Sequence, residues 1–313
     1  MLSLRNSRWQ RRTDFIFRIL TVLCASVIAF VLVLIIYELF VNSGPSFKKF
    51  GLRFLVSIIW NPVTGEFGAL SSIFGTIVST IIAMALAVPL AIVTALFLTE
   101  LVSPAISKLV GIGIELLAAV PSIIYGMWGL FVFAPFMSNH IQPALAQWFG
   151  FLPLFSGPPM GIGMLTAGII LALMVVPFIC AVTRDVFLMV PSVIKESAFG
   201  MGATTWEVTS KVTIRYGLQG IIGACFLGLG RAIGETMAVT FVIGNDHNIS
   251  ASLFSAGNSI ASTLANEFSE ASDPLYLSSL VELGLTLFLI TIVIQSLAWV
   301  WLRRMKRKMR VTL

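Results

Sequence analysis

The sequence predicts an all-α, polytopic membrane protein with six transmembrane helices, and three observations carry the prediction. Of the 313 residues, 58% are apolar and only 11% are charged. Soluble domains carry about 25% charged residues, so this chain has too little charge to clothe a water-facing surface. Apolar runs long enough for the roughly 20 residues of a membrane helix recur along its length. Lys and Arg collect in alternate connecting segments, as expected of short cytoplasmic flanks. Intrinsic disorder, a coiled coil and a secreted disulfide scaffold are excluded. Cys24, Cys180 and Cys225 lie in apolar runs and read as small buried hydrophobes.

The elements follow in order. Residues 1–16 form a basic cytoplasmic start. The uncharged run Ile19–Tyr37 is too long for a signal-peptide core and lacks an A-x-A-like exit, so it reads as part of a first span over about 17–41. Turn signals at Asn42–Pro45 and Asn61-Pro62 bracket Lys48, Lys49 and Arg53, which alternate with Phe residues as a short interfacial amphipathic helix does. The uncharged stretch Phe67–Thr99 holds a second span over about 69–99, with Pro89 inside it. A third span, about 109–137, carries Glu115 and the breaker Pro121. The Pro/Gly-rich segment Ser138–Met160, with Trp148, reads as a loop dipping into the aromatic belt. The fourth span is about 161–183, the fifth about 217–243 and the sixth about 278–302; residues 303–313 form a basic tail. Between the fourth and fifth lies a polar loop, 184–216. Glu38 and Glu282 sit near span ends, where their carboxylates reach the interface.

Orientation follows from the basic residues. With both termini cytoplasmic, the inner segments hold sixteen of the twenty Lys and Arg, the outer ones hold only Lys48, Lys49 and Arg53, and Arg231 lies within a span. The acidic loop 244–277 then faces outward. The net charge of +6 could signal nucleic-acid binding, but both basic ends abut apolar helices, which is the membrane-flank pattern.

Several chemistries are missing. No Gly-Lys dipeptide exists to build a phosphate-cradling Walker loop, and neither H-E-x-x-H nor G-x-S-x-G occurs. The two histidines, His140 and His247, fall in outer loops and read as solvated. Gly228, Gly230 and Gly234 lie in an apolar helix with no preceding strand, where small residues let helices approach. No metal cluster or nucleophile–base pair is evident.

The loop 184–216 is the first informative feature. Pro191 suits the first turn of a helix and Glu196 its early part. Gly202 allows a sharp turn before a second short helix. Such a helix–turn–helix is either a rigid knob for a partner's groove or a plain linker; its residues alone leave both open. Glu196-Ser197-Ala198, followed after three residues by Gly202, resembles the EAA motif of binding-protein-dependent ABC transporter permeases of the type I (MetI-like) fold. The resemblance implies that Glu196, Ala198 and Gly202 belong to coupling helices that dock on ATPase subunits. Where the family continues with I-x-L-P, this chain has Val212-Thr213-Ile214-Arg215, so the second helix is expected to exit differently.

The second feature is Gly230-Arg231-Ala232-Ile233-Gly234-Glu235-Thr236. A charge in mid-bilayer costs roughly 2.5–3.5 kcal/mol on insertion scales and marks a substrate pathway by default. Arg231 and Glu235 are four apart, which places them on one face of a continuous helix, where they partly compensate each other. They form either an ion pair gluing helices together or an anion pathway, for which a planar guanidinium supplies fitting donors. Glu115 either lines that pathway or bonds a neighbouring helix. The segment resembles the G-R-A-x-G-E-T signature of phosphate ABC transporter permeases, as do Glu115 through Gly126 and Lys195 through Glu207. The resemblance covers roughly residues 65–305.

What the resemblance implies is a six-span inner-membrane permease subunit forming half of a phosphate pore. Its implied partners are a second permease subunit, two cytoplasmic ATPase subunits that use ATP and Mg, and a periplasmic phosphate-binding protein. The chain itself would be non-catalytic and bind no cofactor, metal or nucleic acid. Alternatives are a permease for another oxyanion such as sulfate or molybdate, a membrane-embedded enzyme, or a passive channel.

Overall fold

A computed structural model describes the backbone of residues 4–311 and the side chains of residues 13–304. The side chains of Arg5, Arg8, Arg11, Arg12, Lys306, Arg307, Lys308 and Arg310, which enter the charge count, lie outside the described residues. Among the described residues all regular elements are helical, apart from isolated bridges joining Asn61 to Glu66 and Gly244 to Gly257.

Five helices are long and apolar enough to cross a membrane, and six crossings result when one bent pair counts as a single span. Helix α1 (Leu4–Asn42) leads into the short α2 (Gly44–Phe50). Helix α3 (Leu70–Leu96) runs on through a π turn, Phe97–Leu101. Helix α4 (Pro104–Ala119) meets α5 (Ser122–Phe149, with π turns inside) at an 88° bend. Helix α6 (Met164–Leu188) is followed by α7 (Ser192–Gly200). Helix α8 (Thr205–Ile233) then crosses back, and the short α9 (Met237–Ile243) follows a break. Helix α10 (Ile260–Glu267) precedes the last crossing, α11 (Pro274–Val311).

The centre of the bundle is the seam between α3 and α6. Ser71, Ser72, Gly75, Thr76, Ser79, Thr80, Ala83, Ala87, Ala91 and Ala95 are buried on α3, a stripe of small residues repeating every four positions. In lipid, helices associate through close packing because burying Leu against Leu gains little over lipid. The approach is close enough that a Cβ on Gly168 of α6 would lie 2.5 Å from the Ile82 side chain. The main core extends from this seam to α8 and α9 through Ile170, Val175, Ile179, Ala224, Val239 and Val242. By contrast, the apolar stretch Thr13–Asn42 of α1 has none of its most hydrophobic window buried in protein. Cys24 is therefore exposed, unlike Cys180, and does not fit the expectation of three buried thiols.

Four further differences from the sequence reading are local. The third span is not one helix over 109–137. Pro121 forces Val120 into the extended conformation (φ −63°, ψ 130°) and the chain restarts in a new direction. The fifth span does not run unbroken to 243, because α8 stops at Ile233. The helix after Gly202 is not short. It is the start of α8, running on unbroken through the π turn Val208–Thr213, because Arg215 keeps the backbone donor that a proline would remove. The segment 138–160 is also helical as far as Phe149.

Candidate functional site

Two regions hold the residues singled out in the sequence. The first is the break after α8. Gly234 closes the helix with long bonds, its N–H donating to Gly230 O at 3.4 Å and the Glu235 N–H to Ala232 O at 3.4 Å. Glu235 then turns to the next helix: its Oε1 accepts from the Ala238 N–H at 3.2 Å, satisfying one unpaired donor at the start of α9. The break thus removes Glu235 from the face on which a continuous helix would have set it beside Arg231. Arg231 is exposed, enters none of the ion pairs among the described residues, and lies with its guanidinium carbon 5.8 Å from the Phe178 ring centre.

The bend between α4 and α5 lies against this same break. Helix α9 packs on α5 so closely that a Cβ on Gly126 would be 2.8 Å from the Phe241 ring and 3.0 Å from Ala238 Cα. Gly129 meets Val242 in the same way, at 2.9 Å. The Tyr125 hydroxyl donates to Leu117 O at 2.9 Å, adding a second donor to a carbonyl that accepts the Val120 N–H at 3.3 Å where α4 ends.

The second region is the turn around α7. Ala198 is the buried residue of this helix, whereas Glu196 is exposed. Gly202 has φ +87°, a left-handed conformation in which a Cβ would meet no atom within 4 Å, so glycine is required by the backbone and not by space. Thr204 and Glu207 then form a capping box that starts α8. Around this turn Met189, Val193, Phe199, Met201 and Trp206 are exposed. Exposed apolar patches rimmed by polar residues mark protein or membrane contact sites.

Ion pairs not foreseen from the sequence brace this end of the bundle. Arg184 of α6 reaches Glu115 of α4 at 2.8 Å, so Glu115 serves as a bond to a neighbouring helix. The same two residues, with Lys108, line a cavity of about 510 Å³. Lys195 of α7 reaches Glu100 in the π turn ending α3, at 2.6 Å. None of these pairs has helical spacing, so no sequence pattern flags them.

The opposite end is closed by an aromatic and polar knot. Glu267 accepts from Trp60 Nε1 at 2.6 Å and from the Tyr276 hydroxyl at 2.7 Å, and pairs with His247 Nε2 at 3.0 Å. Trp60 stacks on His247 with ring centres 5.5 Å apart. His247 is thus part of the packing, not the solvated loop residue expected, because the chain after α9 folds back against α10 and the Trp60 loop. His140 is exposed. Glu282 does not reach the interface either; it is 5% exposed and lies beside Ser46 of α2.

Comparison with known proteins now places the chain. Residues 87–311 match the family described as binding-protein-dependent transport system inner membrane component. The chain belongs to this family. The permease is 51% identical over 299 residues to the phosphate transport system permease protein PstC of Pasteurella multocida (strain Pm70), with 94% of this chain and 93% of that one covered. It is 52% identical over 296 residues to PstC of Mesorhizobium japonicum, covering 93% and 90%. Against the probable PstC of Methanocaldococcus jannaschii the identity is 36%, covering 92% and 93%. Among solved structures, a chain of a bacterial alginate ABC transporter in complex with an alginate pentasaccharide-bound periplasmic protein superposes with a TM-score of 0.62 over 96% of this chain and 98% of that one. At 17% identity that likeness concerns the fold.

The knot yields a pH prediction for the permease. Burial by itself would push the Glu267 carboxyl up, but hydrogen bonds from His247, Tyr276 and Trp60 outweigh it and hold the group below its ordinary value. Its stabilisation is therefore complete above the ordinary glutamate value of about 4.3 and fades as pH falls through the lower folded value. Glu267→Gln should cost about 1–2 kcal/mol at pH 7, from the loss of charge-assisted bonds. Thermal melting in detergent should show the gap to wild type narrowing below about pH 4; a gap equally wide in acid would contradict this account.

Proposed function

We propose that this permease is one pore-forming subunit of an ATP-driven phosphate importer. The observation that carries the reading is Arg231, exposed and without an ion-pair partner among the described residues, in the last turn of α8 just before the helix breaks. Its setting in a Gly230–Thr236 signature, and relatives about half identical named as phosphate permeases, support phosphate as the substrate. A guanidinium presents planar donors that match an oxyanion. An anion in the low-dielectric interior needs such compensation. A related permease subunit covers the open face of Arg231 and completes the pore. A periplasmic phosphate-binding protein supplies the tight site, because a pathway that held phosphate firmly would stall.

The chain is non-catalytic in this reading. Two ATPase subunits bind ATP and Mg, and their closure moves α7, with Glu196 exposed toward them, Ala198 seating the helix and Gly202 setting the turn. Both termini and α7 face the cytoplasm and the Glu267 knot faces the periplasm, in keeping with the asymmetry of basic residues.

Orientation is testable at two of the most exposed side chains, Val63 (95%) and Met201 (83%). In a variant lacking the three native cysteines, Val63→Cys should react with an impermeant thiol reagent in intact spheroplasts and Met201→Cys should not. The reverse pattern would refute the orientation.

Gly202→Val places a β-branched residue at φ +87°, which costs of order 1–3 kcal/mol of local strain. The expected result is a complex that assembles with its ATPase subunits yet loses substrate-stimulated hydrolysis. Intact stimulation and uptake would remove α7 from the coupling route.

Arg231→Gln should abolish phosphate uptake with normal membrane insertion, since losing an intramembrane charge eases insertion. Arg231→Lys should be poor, because a point charge replaces a planar fork. Joint replacement of Arg231 and Glu235 by Gln is the deciding variant. Uptake near the wild-type level in that double variant would mean that Arg231 serves structure and not the anion.

A further inference from the structure

Movement of α7 has to reach the membrane helices through whatever joins them. Two of those joints are connections along the chain. Met189–Pro191 lead from α6, and Met201–Thr204 lead into α8, where Ala203 N–H donates to Ala198 O at 3.1 Å. Both joints contain non-helical backbone, extended at Pro191 and Thr204 and left-handed at Gly202, and both run only to helices adjacent in sequence.

A third joint is of another kind. Lys195 Nζ lies 2.6 Å from Glu100 Oε1, ninety-five positions away in the chain, with the two side chains only 20% and 11% exposed. Little water screens such a pair, and removing either member strands a partly buried charge, so the contact is held firmly. Glu100 sits in the π turn Phe97–Leu101, an irregularity of the sort that marks points of adjustment in helices. That turn packs on both α4 and α6 and stands immediately before the Ser103-Pro104 reversal into α4. Helix α4 is pinned in turn to α6 by Glu115 and Arg184, and its far end carries the Leu117 carbonyl held by Tyr125 at the bend beside Arg231's helix break.

We propose that Lys195 and Glu100 are positioning residues that transmit movement of α7 into the α3–α4 hairpin, and through α4 to the bend that borders the anion path. The inference rests on the reading of α7 as the ATPase-docking helix. Lys195 is distinct from the exposed surface that would meet the ATPase: it faces inward, to the permease itself.

The test uses the assembled importer in proteoliposomes, with uptake of labelled phosphate and ATP hydrolysis measured on the same sample. Lys195→Met and Glu100→Gln should each leave the ATPase subunits bound and basal hydrolysis within about twofold of wild type. Each should raise the ATP consumed per phosphate imported at least tenfold. The reversed pair, Lys195→Glu with Glu100→Lys, should restore most of the lost coupling, which a general loss of stability would not allow. Single variants that import with wild-type economy would overturn the proposal, and so would a reversed pair as uncoupled as the singles. Failure of the docking reading is seen separately, as a wild-type permease that retains no ATPase subunit on purification.

Discussion

A backbone N–H or C=O left unpaired in hydrocarbon costs several kcal/mol, so a membrane helix can stop mid-course only where protein covers the stop. This permease breaks at Val120-Pro121 and at Gly234–Thr236, and the helices that restart after the two breaks, α5 and α9, pack directly on each other. Gly126 and Gly129 are small because α9 lies directly on them. Tyr125 spends its hydroxyl on the Leu117 carbonyl and Glu235 its carboxylate on the Ala238 amide. The rigid α3–α6 seam supplies the wall on which this arrangement rests. Its spacing of small residues at every fourth position leaves no room for slack between the two helices.

Charges in the permease divide by whether they are matched. Arg184 with Glu115 and Lys195 with Glu100 join helices that are far apart in sequence, near the α7 end. The Glu267 carboxylate is taken up by three neighbours in the opposite knot. Arg231 differs from all of these. Its neighbour is the face of Phe178, which attracts a cation without neutralising it. The matched charges brace the two ends of the bundle, whereas Arg231, in the last turn of α8, enters no ion pair among the described residues.

The architecture was legible in the sequence because lipid imposes a crude rule: long apolar runs cross, and basic flanks stay on one side. The need for glycine at 202 was legible for a similar reason, since few residues tolerate a left-handed turn. The two breaks were not. Pro121 was visible as a breaker, but a proline in a membrane helix gives a mild kink when neighbours absorb the freed carbonyl, as at Pro89 and Pro177, which stay inside their helices. Sequence periodicity does not distinguish these cases. The break at Gly234 was hidden because Met237–Ile243 is as apolar as α8 and hydropathy merges them. Burial of His247 and the partners of Glu100 and Glu115 depend on contacts between distant segments, for which a single sequence carries no signal.

The break at Gly234 also alters what Glu235 does to the proposed anion path. On an unbroken helix a carboxylate four residues on from Arg231 would share its face and compete with any anion for its donors. With the helix ended, Glu235 is turned to the start of α9, and Arg231 has no ion-pair partner among the described residues. In the proposed reading, a guanidinium exposed on one side and backed by the Phe178 ring gives an oxyanion a reason to enter a low-dielectric passage. It does not surround the anion as a binding cage would. In the proposed pathway this arrangement favours entry over retention, which suits translocation if a separate protein supplies the affinity.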